Sequence, residues 1–405
     1  MQHALTINIT DDAAVALTDL TKGSKVTVNE QEIELLNNIT AKHKFALKNF
    51  SPEDEVHMYG VVVGIAKEAI KKGEAITTGN LGHKAESYST NKNSKYRWKS
   101  PDVSKWKNLT FDGYHRKDGQ VGTGNYWLVF PLVFCENRNI ETIKKAFYKA
   151  LGFEKQDPYV GLVENLVSKY ESGQLGDPFE ISIETAVEPK TERRIFENID
   201  GIRFLTHQGG CGGIRQDAET LCRLLSGYIN NPNVAGATVL SLGCQNAQIK
   251  MFTDALNSIN PNMAKPVIIL DQQEMGTEKD LVKAAITKTF MAVVEANQQT
   301  RKPAPLSKLT IGLECGGSDG FSGISANPSI GYTSDLVVAL GGKAILSEFP
   351  ELCGVEQELI NRMDNSSHAE KFVRIMRQYE KAAVDAGSGF DMNPSPGNIK
   401  DGLIT

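Results

Sequence analysis

The chain has 405 residues, 40% of them hydrophobic, with 44 basic against 49 acidic side chains and a formal net charge of -5. That length buries a large core and favours two or three domains, while charges of both signs intermixed along the chain leave no basic stripe for nucleic acid. No 18-residue apolar run is present and the opening MQHALTINITDD lacks a signal-peptide pattern, so no membrane contact and a cytoplasmic location are expected.

Residues 1–80 read as a small β-rich module. ALTINI, KVTV and IELL are short strand candidates, and VHMYGVVVGIAK a longer one with glycines suited to bends. Two near-repeats, AVALTDLTKGSKV and FALKNFSPEDEV, each predict a strand, a turn and a second strand. Between them His43 and Lys44 open a strand, where an acid/base pair would stand at a module edge. Residues 81–108 are polar and poor in aliphatic side chains, which predicts a linker. Their interleaved Lys, Arg, Tyr and Trp imitate a nucleic-acid patch, but no motif supports one.

From residue 109 the pattern turns α/β. Residues 109–258 are expected to form one lobe and 259–405 a second, both mainly parallel. GQVGTGN precedes a strand instead of following one, so it is not a dinucleotide fingerprint. Strand candidates at 126–134, 201–206, 237–242, 266–270 and 309–313 alternate with amphipathic segments, among them IKMFTDALNSI and 277–299. Residues 152–200 read as a surface excursion with one helix candidate. SDLVVALG is expected to be a helix and KAILSEF a strand ending near Glu348.

Six cysteines are too few and too unevenly spaced for a disulfide framework, which leaves packing, metal binding or catalysis. Four of them, Cys135, Cys211, Cys244 and Cys315, follow a strand candidate directly or within a few residues, whereas Cys222 sits at a core-like helix position and Cys353 in a loop. Strand C-termini are the edge where parallel sheets place ligands. Leu309 to Asn327, LTIGLECGGSDGFSGISAN, is the densest such stretch: a buried strand emptying into a loop of carboxylate, thiol, hydroxyls and glycines. Cys211, Cys244, Glu314 and Cys315 are therefore expected around one crevice. No G-x-S-x-G elbow argues for a hydrolase.

The run of DGxVGxxN before the first α/β strand, NPNVAGATVLSLGCQNAQ, LTIGLECGGSDGFSGISANP and NPSPGN resembles the altronate and galactarate dehydratase family of sugar-acid dehydratases. The resemblance implies an N-terminal module of the SAF type and elimination of water from an aldonate or aldarate to give a 2-keto-3-deoxy acid. It also implies Fe2+ (or Mn2+) as the metal. NNPNVAGATVLSLGCQN and ANPSIGYTSD look closer to the altronate branch, which implies D-altronate as substrate and 2-keto-3-deoxy-D-gluconate as product; galactarate or another sugar acid is the alternative, as is a sugar-acid-binding relative without turnover. Family members continue past NPSPGN, so a further C-terminal region is expected to be missing from this chain.

Such chemistry needs a cation to draw charge from the carboxylate, a base for the α-proton and an acid for the departing hydroxyl. Thiolate and imidazole suit iron, which nominates Cys135, Cys211, Cys244, Glu314 and Cys315, with His207, as metal candidates. An iron–sulfur cluster is a lesser expectation, because these cysteines form no local run. His43, Lys44, His207 and Glu348 are the acid/base candidates. Arg215, Gln245, Asn246, Ser318, Ser322 and Asn327 are candidates for holding the substrate's hydroxyls and carboxylate. The partner is a small sugar acid, and self-association into a homo-oligomer stays open.

Overall fold

Leu20/Val26, Ile39/Phe45, Phe50/Val56 and Ile70/Ile76 each repeat an apolar residue six positions on, and all of these side chains are buried. Two of these repeats stand out in the sequence, at 14–26 and 45–56. In the computed structural model, which describes residues 2–85, 87–95, 97–152, 158–174, 179, 195–314, 316–317, 319–389 and 394–404, they generate the N-terminal module. Ala4–Leu5, Ala13–Ala16, Lys44–Ala46 and Ala75–Ile76 form an antiparallel sheet in that order, and isolated bridges pair Leu20 with Ile39 and Phe50 with Ile70. Lys25–Val28 pairs with Gln31–Glu34, and Glu55–Met58, Val61–Ala66 and Leu81–His83 form a third sheet.

VHMYGVVVGIAK is thus a hairpin and not one strand. Tyr59 and Gly60 have φ of 60° and 79°, the two left-handed positions of a tight primed turn. The module extends to His83, three residues into the expected linker.

The chain divides into two compact units, residues 1–108 with 309–405, and residues 109–308. In the first unit the polar stretch after the module is docked along part of its length. Ser89 N–H donates to Gln357 Oε1 at 3.0 Å, Asn93 N–H to Asn361 Oδ1 at 3.1 Å, and Gln357 Nε2 to Asn91 O at 3.0 Å. Gln357 and Asn361 are buried on the helix Glu356–Arg362, so amide side chains satisfy a backbone that lies outside any strand. The linker reading therefore fails for 89–93. The same unit holds a parallel pair, Thr310–Leu313 with Lys343–Leu346, joined through the helix Ala326–Ala339, followed by the helices Ser366–Asp385 and Pro396–Lys400.

The second unit is built on β1 (Tyr126–Pro131), β2 (Gly201–Phe204), β3 (Val234–Ser241) and β4 (Val267–Asp271), all parallel, in the order β2-β1-β3-β4. Alternation along β1 decides the layers. Trp127 and Val129 face the helices α1 (Asn137–Leu151) and α4 (Glu278–Ala296), while Leu128 and Phe130 face α2 (Arg215–Asn230) and α3 (Ile249–Ile259). Every residue of β3 is buried, as a central strand covered on both faces requires. The break expected between 258 and 259 falls inside this sheet, because β3 pairs with β4 from Ala237/Val267 to Ser241/Asp271. The unit ends at 308 instead. Among the described residues parallel pairing is confined to this sheet and the 310–313/343–346 pair; Thr110–His115 pairs antiparallel with Val121–Gly122 and Lys302–Pro305. The helix expected in the 152–200 excursion is Pro158–Glu171, and residues 153–157, 175–178 and 180–194 lie outside the described residues.

Gly236 lets β3 pass Trp127: a Cβ there would stand 2.5 Å from the indole ring and 2.7 Å from Pro266 O. Gly236→Ala is expected to lower unfolding free energy by ~1–3 kcal/mol, measured by urea denaturation. An unchanged midpoint would show that the indole has room to move.

Candidate active site

Three of the strand-end cysteines are gathered by the topology of the second unit. Cys135 follows β1 in the single turn Phe134–Glu136, Cys211 lies in the glycine-rich loop after β2, and Cys244 lies in the turn after β3. β2, β1 and β3 are neighbours, so three adjacent strands deliver three thiols to one carboxyl edge.

The loops are tied to each other through backbone and amide groups. Phe134 N–H donates to Gly209 O at 2.8 Å, Asn137 Nδ2 to His207 O at 2.8 Å, and Asn246 Nδ2 to Cys211 O at 2.8 Å and Gly213 O at 3.0 Å. All three thiols are exposed and free. The Cys211 thiol is pushed above its ordinary value, by desolvation first, then by its hydrogen bond with Cys244 and the proximity of Cys135.

Several nominated side chains turn out to build this edge. His207 spends both ring nitrogens on backbone: Nδ1 accepts from Gly209 N–H at 3.0 Å, and Nε2, facing Pro131 O at 2.9 Å, carries the proton. Gln245 is buried, donating to Ser241 Oγ at 2.8 Å and accepting from Gly243 N–H at 2.8 Å. Asn246 is the tie between loops already described. Arg215 opens α2 and lines a groove of about 950 Å³ with Arg223, Lys250 and Asp254 between α2 and α3. A smaller cavity of about 370 Å³ runs along the 208–214 loop past Cys211.

Sequence reading missed Glu136, which looks like the first residue of a helix. It is buried beside Cys135, its carboxyl raised by burial and by Glu278 and Asp271 against the opposing hydrogen bond from Asn139, at 2.7 Å.

A second constellation lies in the first unit. His43 Nδ1 faces Ala41 O at 3.2 Å and so carries the hydrogen, which leaves Nε2 an acceptor with no hydrogen-bond partner among the described residues. Lys44, 1% exposed, donates to Gly402 O, and burial lowers its pKa to about 8 against the opposing pull of Asp401. Lys42 bridges Asp401 at 3.0 Å and Asp319 at 3.6 Å, and lies 5.5 Å from the Phe321 ring centre. The loop after Thr310–Leu313 is thereby seated on the N-terminal module: a Cβ on Gly320 would stand 2.6 Å from both Lys42 Cβ and Asp401 O, and one on Gly323 2.7 Å from Tyr59 Oη. Within that loop Ser322 Oγ closes a turn with the Asp319 backbone, and exposed Asn327 sits in the first turn of the following helix. Glu314 is exposed at the strand end; Cys315 and Ser318 lie outside the described residues. Glu348 lies two residues past the neighbouring strand Lys343–Leu346, with φ of 54°, a backbone position costly for a residue with a side chain. Lys42, Tyr59, Asp319 and Asp401 gave no local signal.

Comparison with known proteins places these features. Residues 2–84 match the altronate/galactarate dehydratase SAF domain, 113–297 the second domain of D-galactarate dehydratase/altronate hydrolase, and 306–405 the C-terminal domain of D-galactarate/altronate dehydratase. Altronate dehydratase of Bacillus subtilis (strain 168) is 30% identical over 407 residues, covering 100% of this chain and 71% of that protein. The chain belongs to this dehydratase family. Altronate dehydratase of Escherichia coli (strain K12) is 29% identical over 100% of the chain and 72% of its own length. Galactarate dehydratase (L-threo-forming) of the same organism is 28% identical over 98% and 69%. The enzyme is accordingly a hydro-lyase.

A single Fe2+ or Mn2+ ion, expected from the resemblance, does not fit the side chains of this dehydratase that are described. Ligands ~2.0–2.3 Å from one ion stand within about 4 Å of each other. Among the described residues no group of three or more His, Cys, Asp or Glu could hold an ion. Cys211 and Cys244 pair through their thiols. No helix among the described residues is long and apolar enough to cross a membrane.

Proposed function

We propose that the enzyme dehydrates a six-carbon sugar acid, D-altronate first, to 2-keto-3-deoxy-D-gluconate. The substrate assignment rests on the two altronate dehydratases, which match the whole chain at 30% and 29% identity. Galactarate is the second candidate, from the relative at 28%.

The observation that supports the chemistry is the free Nε2 of His43 beside a loop rich in hydroxyl and backbone donors. In the reaction the bond from C2 to hydrogen breaks and its electrons form the C2–C3 double bond. The C3 hydroxyl leaves with a proton as water, and the enol becomes the 2-keto acid. His43 Nε2 is the base for the C2 proton, held in that tautomer by the Ala41 carbonyl. Lys44 supplies a buried positive charge at the same edge, and Ser322 and Asn327 offer hydrogen-bond partners to substrate hydroxyls. Tyr59, held at about 12 by burial, keeps its proton throughout the working range and serves only as a donor.

The test is an anaerobic assay of the full chain with D-altronate and galactarate, with ferrous iron added and without it, reading the 2-keto-3-deoxy acid. Altronate is expected to turn over at least tenfold faster. Faster turnover of galactarate would reverse the assignment, and no product from either acid would overturn the sugar-acid reading.

A further inference from the structure

Lys42 holds a left-handed backbone, φ of 75°, one residue before His43, at a position where glycine would sit without strain. We propose that Lys42 is a positioning residue of the dehydration: it clasps the turn at Asp401 and the loop at Asp319 onto the module edge, and it shields His43 from the Asp401 carboxylate. The inference rests on the reading of His43 as the base and adds the group that keeps that base unprotonated.

The backbone comes first. Lys42 N–H donates to Ala16 O at 2.8 Å and Ala16 N–H to His43 O at 2.9 Å, so the sheet fixes the strained position on both sides. The side chain then reaches two distant segments. Its Nζ donates to both Asp401 oxygens, at 3.0 and 3.2 Å, stands 3.6 Å from Asp319 Oδ1 and lies 5.5 Å from the Phe321 ring centre. Glycines let these segments close in. Gly402 has φ of 100°, and a Cβ on it would stand 2.8 Å from Lys42 O; one on Gly320 would stand 2.6 Å from Lys42 Cβ and from Asp401 O. Asp319 in turn accepts from Phe321 N–H at 2.6 Å, and its backbone closes the turn with Ser322 Oγ. What Lys42 holds is therefore the loop that offers hydroxyls to the substrate. Ile404 anchors the far end of the Asp401 turn against the apolar cluster of Phe50, Ile70 and Leu81.

Exposed ion pairs of this kind add little to stability, and the Asp319 and Asp401 side chains are about half exposed. The effect of the clasp is expected on geometry and charge instead. The Asp401 carboxyl is held below its usual range by the Lys42 hydrogen bond first, against burial, and further by Gly320 N–H and the charges of Lys42 and His43. An anion beside an imidazole favours its protonation and a cation opposes it. The remaining charged groups around this turn are Asp19, which accepts from Ala41 N–H at 2.8 Å, Lys44 on the strand and Asp319 on the loop. The flanking strands Ala13–Ala16 and Ala75–Ile76 carry none.

The test is a nuclear magnetic resonance titration of the full chain labelled in histidine, with the His43 signal assigned by its loss in His43→Asn. Its midpoint is expected to rise by about 0.5–1 pH unit in Lys42→Met, to fall in Asp401→Asn, and to return to the wild-type value in the double variant and in Lys42→Arg. Opposite shifts in two single variants cannot come from a shared loss of folding. With a sugar acid that turns over, the acid limb of kcat/KM should move in the same order. Plateau kcat should fall ~10-fold in Lys42→Met with KM within about threefold, and Lys42→Arg should restore it. An unchanged midpoint in Lys42→Met, shifts of one sign in both single variants, or a plateau kcat within about twofold of wild type would overturn the proposal. If neither acid turns over, the titration alone decides it. If Lys42→Met behaves as expected while His43→Asn keeps wild-type kcat, the clasp stands and the base reading falls.

Discussion

His43→Asn is expected to lower kcat by ~10²–10⁴ with little change in unfolding free energy. Asparagine places an amide N–H where His43 Nδ1 donates to Ala41 O, so the local hydrogen bond survives while the base at Nε2 is removed. The position is half-buried and outside the regular strands, where loss of ring area costs little. Steady-state kinetics with D-altronate and a urea titration of both proteins separate the two quantities. A variant within threefold of wild-type kcat would remove His43 from the proton transfer. Equal losses in kcat and in stability would assign it a structural role.

The strand-end cysteines were legible because each apolar run stops at a glycine or a polar residue close to a thiol. The order of those runs along the chain already implies parallel strands. Their convergence follows from β2, β1 and β3 being neighbours, which chain order alone does not dictate: β1 lies in the middle although it comes first. The hairpin at Tyr59–Gly60 was hidden because apolar residues flank the turn on both sides without a break, and only two positive φ angles reveal it.

Roles that depend on distant partners were illegible for a simple reason. Lys42 meets Asp401 across 359 positions, and Gly402 covers Lys44 across 358, so no window of sequence contains either pair. His207 shows the opposite limit. Its glycine-rich surroundings read as catalytic, yet both ring nitrogens serve the turn they sit in. The division at 308 escaped as well, since β4 and α4 repeat the alternation of the earlier strands and carry no mark of where one sheet ends.

Replacing Lys44 with methionine is expected to stabilise the fold and impair the reaction. Lys44 is 1% exposed, and burial takes its pKa from 10.5 to about 8, opposed by Asp401. A shift of that size is on the order of 3 kcal/mol against folding while the group is charged. Methionine fills nearly the same volume without the charge, at the cost of ~1 kcal/mol for the donor lost by Gly402 O. Lys44→Met should therefore be more stable at pH 7 by ~1–2 kcal/mol. The sign with pH follows from proton binding. Between about pH 8 and 10.5 the unfolded chain holds the Lys44 proton more tightly than the native one, so wild-type stability rises with pH across that window. The variant lacks this rise, and the gap between the two proteins should narrow from pH 7 to pH 9.5 in urea unfolding. A gap that widens, or a variant less stable at pH 7, would show that the buried ammonium is compensated in the fold. A more stable protein with kcat reduced tenfold or more would instead show that the charge is kept, at a cost to stability, for what it does to the substrate.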